Sequence, residues 1–279
     1  MTVWVRKHQL LAFFMLSYLL AYVPLYGLVF VTTDLPMTAW TPVWFVNVFS
    51  PTLAAVMVAW VIGGGAEVKR LLAGFTRWRV SVRWYLAAAF MILGPLAIAA
   101  VYIALGNPPD GLQPGVTLPM LLGMVVTQLF SGPISEEAGW RGFALPRLQA
   151  KYSALASSLI LGVVWTFWHL PLYFVSGSAQ RGIPFPIYLV LICTLTLYIT
   201  WVYNNSRGSL ILTTLAHASF NLTGVFITGT IRLMPPMAFY TTIGPLFFVC
   251  ILVIVIGFGP RYFSKKPLAE LPFQTGQPA

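Results

Sequence analysis

The stretch Ser131–Arg141, which reads SGPISEEAGWR, decides how this chain must fold. Only six of the 279 residues are acidic, and two of them, Glu136 and Glu137, are adjacent here. An apolar run precedes the pair, and Arg141 follows Glu137 by four positions. Holding a carboxylate in or near a bilayer costs about 2.5–3.5 kcal/mol on insertion scales. An acid pair in such a place therefore predicts a site with polar partners elsewhere in the chain.

The composition around this stretch is that of a helical membrane protein, with 58% hydrophobic and 8% charged residues. The apolar runs are continuous over about 20 residues, which suits a membrane-crossing helix, and they lack the alternation of barrel strands. We therefore predict an all-α fold with one membrane domain, residues 1–279, eight transmembrane helices and a polar tail at residues 265–279. The predicted spans are Gln9–Val31, Pro42–Ile62, Trp84–Leu105, Val116–Gly132, Ala154–Val175, Pro186–Tyr203, Ser209–Gly229 and Met237–Phe258.

The basic residues set the predicted orientation and exclude one class of partner. Although the net charge is +10, fourteen of the sixteen Lys and Arg residues fall on one side of the predicted spans. The positive-inside rule then places both termini in the cytoplasm. This distribution suits a bilayer with anionic headgroups rather than a nucleic acid, and we expect a prokaryotic cytoplasmic membrane. Cys193 and Cys250 lie within apolar runs, so no disulfide is expected.

The two acidic residues are expected to have different roles. On a helix, Glu137 and Arg141 are i,i+4 neighbours in the favourable order for an ion pair. Glu136 lies about 100° around the same helix and is free of that pairing. A second carboxylate in an apolar site suits a general base. The alternative is an ion pair at a helix end with no chemical role.

Two histidines within predicted spans favour a chemical role. His169 and His217 are intramembrane ionisable residues, which mark functional sites by default, and Asn221 shares a helix face with His217. Together with Glu136 they form a set that could drive attack of water on a carbonyl, with a base, a polarising imidazole and donors for an oxyanion. Ser135 and Ser219 remain alternative nucleophiles.

Three motifs carry a family resemblance. EEAGWR (Glu136–Arg141), WTFWH (Trp165–His169) and HASFN (His217–Asn221) resemble the EExxxR, FxxxH and HxxxN motifs of the CAAX-protease and bacteriocin-processing (CPBP) family of intramembrane endopeptidases. That family includes the type II CAAX prenyl endopeptidases. Trp165 replaces the Phe of the family pattern, and because an aromatic ring is kept we expect little to change.

The resemblance implies a catalytic core at residues 115–230 that hydrolyses a peptide bond near the cytoplasmic face, in a peptide or membrane-protein substrate. Glu136 and His169 would activate water, and His217 and Asn221 would stabilise the oxyanion. Glu137 and Arg141 would be supporting residues.

A metal is a separate question, because Glu136, His169 and His217 could also form a zinc ligand set. HExxH is absent and Asn221 is a poor zinc ligand, so we favour a glutamate-type mechanism without bound metal over a metalloprotease. Two other functions stay open. One is a catalytically silent protein that binds a partner or confers immunity. The other is a small-solute or proton-coupled transporter, which predicts inverted repeats and discontinuous helices; the sequence indicates neither.

The depths that the predicted spans give to His169 and Glu136 are too different for the two side chains to meet. Helix rise places His169 about 20 Å from the cytoplasmic face, but Glu136 near that face. Either residues 133–153 contain more embedded helix than predicted, or the fifth span starts later or tilts. We expect a site in the cytoplasmic half, with span boundaries there that need correction.

Overall fold

The computed structural model describes residues 2–31, 41–130, 132–175 and 178–275 of the chain. Ser131, the first residue of the stretch quoted above, lies outside the described residues. The described part contains helices and no strand, and eight of its segments are long and apolar enough to cross a membrane. The predicted all-α membrane fold is therefore confirmed.

Most of the spans have bounds close to those predicted, and three of those described end in a 3₁₀ or π-helical segment. The α-helices are α1 (Thr2–Lys7), α2 (Gln9–Val31), α3 (Thr41–Leu72), α4 (Val82–Ala104), α5 (Leu118–Phe130), α6 (Pro133–Glu137), α7 (Leu145–Gln149), α8 (Ala154–Trp168), α9 (Phe185–Asn205), α10 (Leu210–Thr223), α11 (Pro236–Phe258) and α12 (Pro272–Thr275). Ala138–Ala144 and Gly224–Thr230 are π-helical. Short 3₁₀ turns cover Ala73–Thr76, Leu170–Phe174, Ala179–Gly182 and Leu268–Glu270.

The fourth span is the main correction to the predicted boundaries. It was expected to end at Gly132, but it extends over Leu118–Gln149. Helix α5 ends at Phe130 and a new helix begins at Pro133, where the fixed φ of proline suits a first helical position. The span is thus discontinuous, although the sequence indicated no discontinuous helix.

The longer fourth span removes the conflict in depth. Glu136 lies thirteen residues before Gln149, or about 20 Å from that helix end. His169 lies fifteen residues after Ala154, or about 22 Å from the same end of the bundle. This agrees with the first of the two explanations, because the fourth candidate span includes residues 133–149.

The second span is also longer than predicted, because α3 continues past Ile62 to Leu72. It bends at Gly63 and Gly64, whose backbone angles are not helical, with φ of 61° at Gly64. Such a positive φ is readily adopted only by glycine. The helix after the bend carries Lys69 and Arg70 in its last turn.

The segment that carries the acid pair lies at the centre of the bundle, against α3. A Cβ atom added to Gly139 would lie 2.5 Å from the backbone of Pro51, so only glycine allows this approach. Trp140, Phe143 and Phe13 pack around it, all fully buried. The close contact holds the acid-bearing helix in the interior, where its charged side chains have to find partners.

The outer surface of the bundle is apolar, as expected for helices in contact with lipid. Large hydrophobic side chains such as Ile256, at 82% exposure, and Leu105, at 76%, face outward. Contiguous apolar surface of this kind is not typical of soluble monomers. Both cysteines are free thiols, which confirms that they form no disulfide.

Candidate active site

The fold brings the three motif segments together in the bundle interior. Helix α6 and the π-helical turn after it carry the acid pair, His169 ends α8, and α10 carries His217. Glu136 is 4% exposed, Glu137 0%, His169 7% and His217 3%. Buried ionisable groups at this density require mutual hydrogen bonds, because an unpaired buried charge is very costly.

The two neighbouring acids have separate partners. Glu137 Oε1 accepts a 2.7 Å hydrogen bond from Arg141 Nη1, which is the ion pair expected from their spacing. Glu136 Oε2 instead accepts a 3.1 Å hydrogen bond from Trp140 Nε1. The π-helical turn Ala138–Ala144 supplies both donors, and wide turns of this kind often occur at functional sites.

Glu137 also positions a histidine. Its Oε1 atom accepts a hydrogen bond of 3.0 Å from His217 Nδ1, which fixes the orientation of the ring. Because Nδ1 carries the proton of this bond, the neutral ring bears a lone pair on Nε2. Glu137 is therefore shared by the Arg141 guanidinium and the His217 ring, a link that spacing along the chain could not show.

Part of this buried network has no partner among the described residues. Glu137 Oε2, Arg141 Nε and Arg141 Nη2 are buried without a hydrogen bond. Leaving such a group unsatisfied costs about 1–3 kcal/mol, and more for a charged one.

Trp165 is the residue whose importance was missed. Its Nε1 atom donates a 2.6 Å hydrogen bond to Glu136 Oε2, the same oxygen that Trp140 contacts. Its ring meets His217 edge-on at 4.9 Å between centroids and lies under the Arg141 guanidinium at 4.4 Å. Phe, which the family pattern has here, could not make the hydrogen bond. The indole donor was the available signal, but only the tertiary contact shows its target.

His169 is held in a defined tautomer. Its Nδ1 atom lies 2.8 Å from the carbonyl oxygen of Trp165, and since a carbonyl only accepts, Nδ1 must carry a proton. The neutral ring then presents a lone pair at Nε2. Trp168 and Tyr188 contact the ring edge-on at 4.7 and 5.5 Å, which fixes its plane. His169 can therefore accept a proton or orient a water through Nε2.

Asn221 meets Glu136 across Gly132. A Cβ atom added to Gly132 would lie 3.3 Å from Glu136 Oε1 and 3.5 Å from Asn221 Nδ2. Both atoms lie within 3.5 Å of one point, so they are less than 7 Å apart. All six predicted site residues thus belong to one cluster, and the absent side chain of Gly132 leaves room between a carboxylate oxygen and an amide donor.

The alternative serine nucleophiles find no support in these contacts. Ser135 Oγ donates to the carbonyl of Gly132 at 2.9 Å. Within the described ranges, neither Ser135 nor Ser219 makes a side-chain hydrogen bond to a histidine. Without an adjacent base, a serine hydroxyl is a weak nucleophile.

The arrangement of the described donors gives no support to the zinc alternative. Zinc requires three or four ligands that converge at about 2.0–2.3 Å. In the part of the chain that the structure describes, no group of three His, Cys, Asp or Glu side chains is arranged to hold a metal ion. The hydrogen bonds at Nδ1 of both histidines and at Oε2 of Glu136 leave Nε2 of each ring and Oε1 of Glu136 open, so these bonds do not themselves argue against a metal. Because no such ligand group is found among the described residues, the chemistry below is derived without a metal.

Comparison with known proteins places this cluster in a family. Residues 118–223 match the family "Type II CAAX prenyl endopeptidase Rce1-like". A relative from Methanococcus maripaludis, named CAAX prenyl protease 2, is 37% identical over 93 residues. That match covers 31% of this chain and 34% of the relative, so the chain spans about a third of the length of the curated protein it matches. The resemblance carried by the three motifs is confirmed, because the segment that carries them matches the family model of the Rce1-like type II CAAX prenyl endopeptidases.

Proposed function

We propose that this protein is an intramembrane endopeptidase in which Glu136 activates a water molecule. The observation that carries the proposal is the unequal use of the two oxygens of Glu136. Both indole donors bind Oε2, whereas Oε1 makes no hydrogen bond among the described residues and faces the space beside Gly132 and Asn221. One oxygen is thus held in place while the other is free to accept a proton.

The reaction follows from this geometry. A water bound at Glu136 Oε1 loses a proton to the carboxylate as its oxygen attacks the carbonyl carbon of the peptide. His169, with its lone pair on Nε2, is a second acceptor that orients the water. The C–N bond then breaks, and the proton held by Glu136 passes to the leaving amine.

The oxyanion of the tetrahedral intermediate is assigned to His217 and Asn221. The Asn221 amide is less than 7 Å from the Glu136 carboxylate, close enough for both to contact one substrate carbonyl and its attacking water. For His217 to donate through Nε2 it must carry both ring protons, and the positive charge would then lie 3.0 Å from Glu137. Preorganised donors of this kind are typically the largest contribution to such catalysis.

The cellular setting follows from the sequence and the relative. The protein is integral to a membrane, with eight apolar spans. The bias of Lys and Arg supports cytoplasmic termini and access from the cytoplasmic side. The matched relative belongs to an archaeon, which agrees with the proposed prokaryotic cytoplasmic membrane. Because that relative is named a CAAX prenyl protease, a prenylated CAAX peptide is the first substrate to test.

The observations support the two alternative functions less well than they support a peptidase. A catalytically silent protein has no need to hold Glu136 between two indole donors, with every motif residue present. A transporter accounts for the discontinuous fourth span, but it does not account for the match to a peptidase family over residues 118–223.

The deciding experiment uses the purified full chain and a farnesylated CAAX peptide, with the unprenylated peptide alongside. Wild type should release the C-terminal fragment, and Glu136→Gln should not, with its thermal unfolding unchanged because Gln keeps the shape and one acceptor oxygen. In cells, small membrane peptides should accumulate in the Glu136→Gln strain. Hydrolysis by Glu136→Gln at the wild-type rate would remove this mechanism.

Metal dependence is tested on the same preparation. We expect full activity after dialysis against a chelator and less than stoichiometric zinc by elemental analysis. Loss of activity on chelation, with recovery on adding zinc, would instead support the metalloprotease alternative.

A further inference from the structure

A second cavity lies at the end of the bundle where the basic residues collect, and the site described above does not use it. It has a volume of about 550 Å³, within the range of ligand pockets, and none of the four catalytic candidates lines it. Its walls come from the start of α2, the end of α3, the end of α7 and the start of α10. Because these helices span the membrane, the cavity lies at the level where their spans end.

The charges that line this cavity are strongly unbalanced. The only acidic residue in its wall is Glu67, and five basic residues face it, namely Lys7, Arg70, Arg77, Arg147 and Lys151. Both carboxylate oxygens of Glu67 are engaged, Oε2 by Arg70 at 2.8 Å and Oε1 by Arg147 at 3.1 Å. A concave surface with this excess of positive charge attracts an anion.

Some of these cations are held rigidly, as a binding site requires. Arg147 also donates to Gln9 Oε1 at 2.8 Å and to the Phe143 carbonyl at 3.1 Å. Arg77 donates to the Arg207 carbonyl at 3.0 Å. Their guanidinium groups are thus fixed before a ligand arrives. Lys7 and Lys151 lie exposed at the rim, where they can move onto a ligand.

Apolar side chains also line the cavity beside polar ones such as Gln9 and Tyr203. Among them, Leu10 is half-buried and Leu11 is 51% exposed, so these two leucines offer apolar surface next to the basic groups. A small hydrated anion gains nothing from these side chains. A phospholipid, in contrast, offers a phosphate for the cations and acyl chains for the leucines, at the depth where the cavity lies.

We propose that this cavity binds one anionic phospholipid, with its phosphate among Lys7, Arg147 and Lys151 and its acyl chains along Leu10 and Leu11. The lipid would pack directly on the turn that follows Arg141 and on the first turn of α10. It would therefore brace the two helices that carry the acid pair and His217. The proposal does not depend on whether the protein hydrolyses peptides.

The test measures lipid retention by the full chain, purified in detergent, using native mass spectrometry. Phosphatidylglycerol is compared with phosphatidylcholine, and glycerol 3-phosphate serves as a soluble competitor with the same phosphate. Wild type should retain one phosphatidylglycerol in preference to phosphatidylcholine. Millimolar glycerol 3-phosphate should not displace it.

Matched variants separate the cavity from general surface attraction. The pair Lys7→Gln and Lys151→Gln should weaken phosphatidylglycerol binding about thirtyfold. The pair Lys69→Gln and Lys265→Gln removes the same charge outside the cavity and should weaken phosphatidylglycerol binding less than threefold. All four lysines are exposed, so folding is preserved, and thermal unfolding checks this.

Three results would overturn the proposal. The first is equal weakening by both pairs, which would mean diffuse attraction by the basic end. The second is retention of phosphatidylcholine as strongly as phosphatidylglycerol. The third is displacement by glycerol 3-phosphate, which would assign the cavity to a soluble anion instead.

Discussion

Replacing Trp165 by Phe tests whether the indole N–H positions the proposed catalytic carboxylate, Glu136. The change keeps an aromatic ring and matches the family pattern, but it removes the 2.6 Å hydrogen bond to Glu136 Oε2. A hydrogen bond to a charged group contributes about 1.5–3 kcal/mol. If that energy holds the carboxylate in its reactive position, kcat should fall about ten- to a hundredfold. KM should change little, because Trp165 is not assigned a contact with substrate.

Trp140 is the second indole donor to Glu136, and replacing it provides an internal check on the effect predicted for Trp165→Phe. Trp140 donates to the same oxygen at 3.1 Å, so Trp140→Phe should lower kcat by a smaller factor than Trp165→Phe. Each donor can partly replace the other. The double variant should therefore lose more than the product of the two single losses, a coupling that a double-mutant cycle measures.

The control is a variant that loses one short buried hydrogen bond elsewhere. Tyr198 Oη donates to the Ala87 carbonyl at 2.7 Å, away from the site. Tyr198→Phe should lower the unfolding temperature about as much as Trp165→Phe while leaving kcat at the wild-type value. A wild-type kcat in Trp165→Phe would show that the indole N–H does not position the Glu136 carboxylate. A kcat that falls only in proportion to the folded fraction would show the same.

The remaining predictions concern packing and charge around the same site. Arg141→Ala removes the guanidinium partner of the buried Glu137 carboxylate and should destabilise the protein by about 3–5 kcal/mol in denaturant titrations, whereas Arg141→Met combined with Glu137→Gln should recover most of that loss; equal stability of Arg141→Ala and wild type would contradict it. Gly139→Ala places a methyl group 2.5 Å from backbone atoms and should lower the unfolding temperature, but Gly123→Ala, with nothing within 4 Å, should not; similar shifts in both would show that the close contact is unimportant. Gly132→Ala should abolish turnover with little change in unfolding temperature, since its methyl group occupies the space proposed for water, and normal turnover would place the water elsewhere.

Local spacing was sufficient to predict several features of the site. The i,i+4 relation of Glu137 and Arg141 gave their ion pair, which the structure shows at 2.7 Å. The same periodicity separated Glu136 from that pair. These inferences succeed because neighbours one helical turn apart meet whatever the rest of the fold does.

Spacing along the chain could not predict the contacts of the site that join distant segments. Nothing along the chain indicates that Glu137 would bind His217, eighty residues away, or that Trp165 would donate to Glu136. From the sequence, Trp165 in place of the family's Phe was expected to change little. In the fold, the Trp165 indole donates the shorter of the two hydrogen bonds that hold the proposed base, Glu136.

The predicted end of the fourth span was wrong for a related reason. A polar and charged stretch after an apolar run reads as the edge of a membrane helix, because an isolated charge is costly there. In the structure, Glu136, Glu137 and Arg141 are buried among one another and their ring partners, so the span extends to Gln149.

Continuous apolar runs and the placement of Lys and Arg were enough to establish a bundle of membrane helices, because the bilayer acts on each segment separately. The three motifs were enough to indicate which residues share a site. Only the tertiary structure decided which oxygen of Glu136 accepts the indole hydrogen bonds, which one makes no hydrogen bond to the described residues, and which histidine nitrogen is bound. Those choices depend on hydrogen bonds between helices, whose partners are set by packing in three dimensions rather than by separation along the chain.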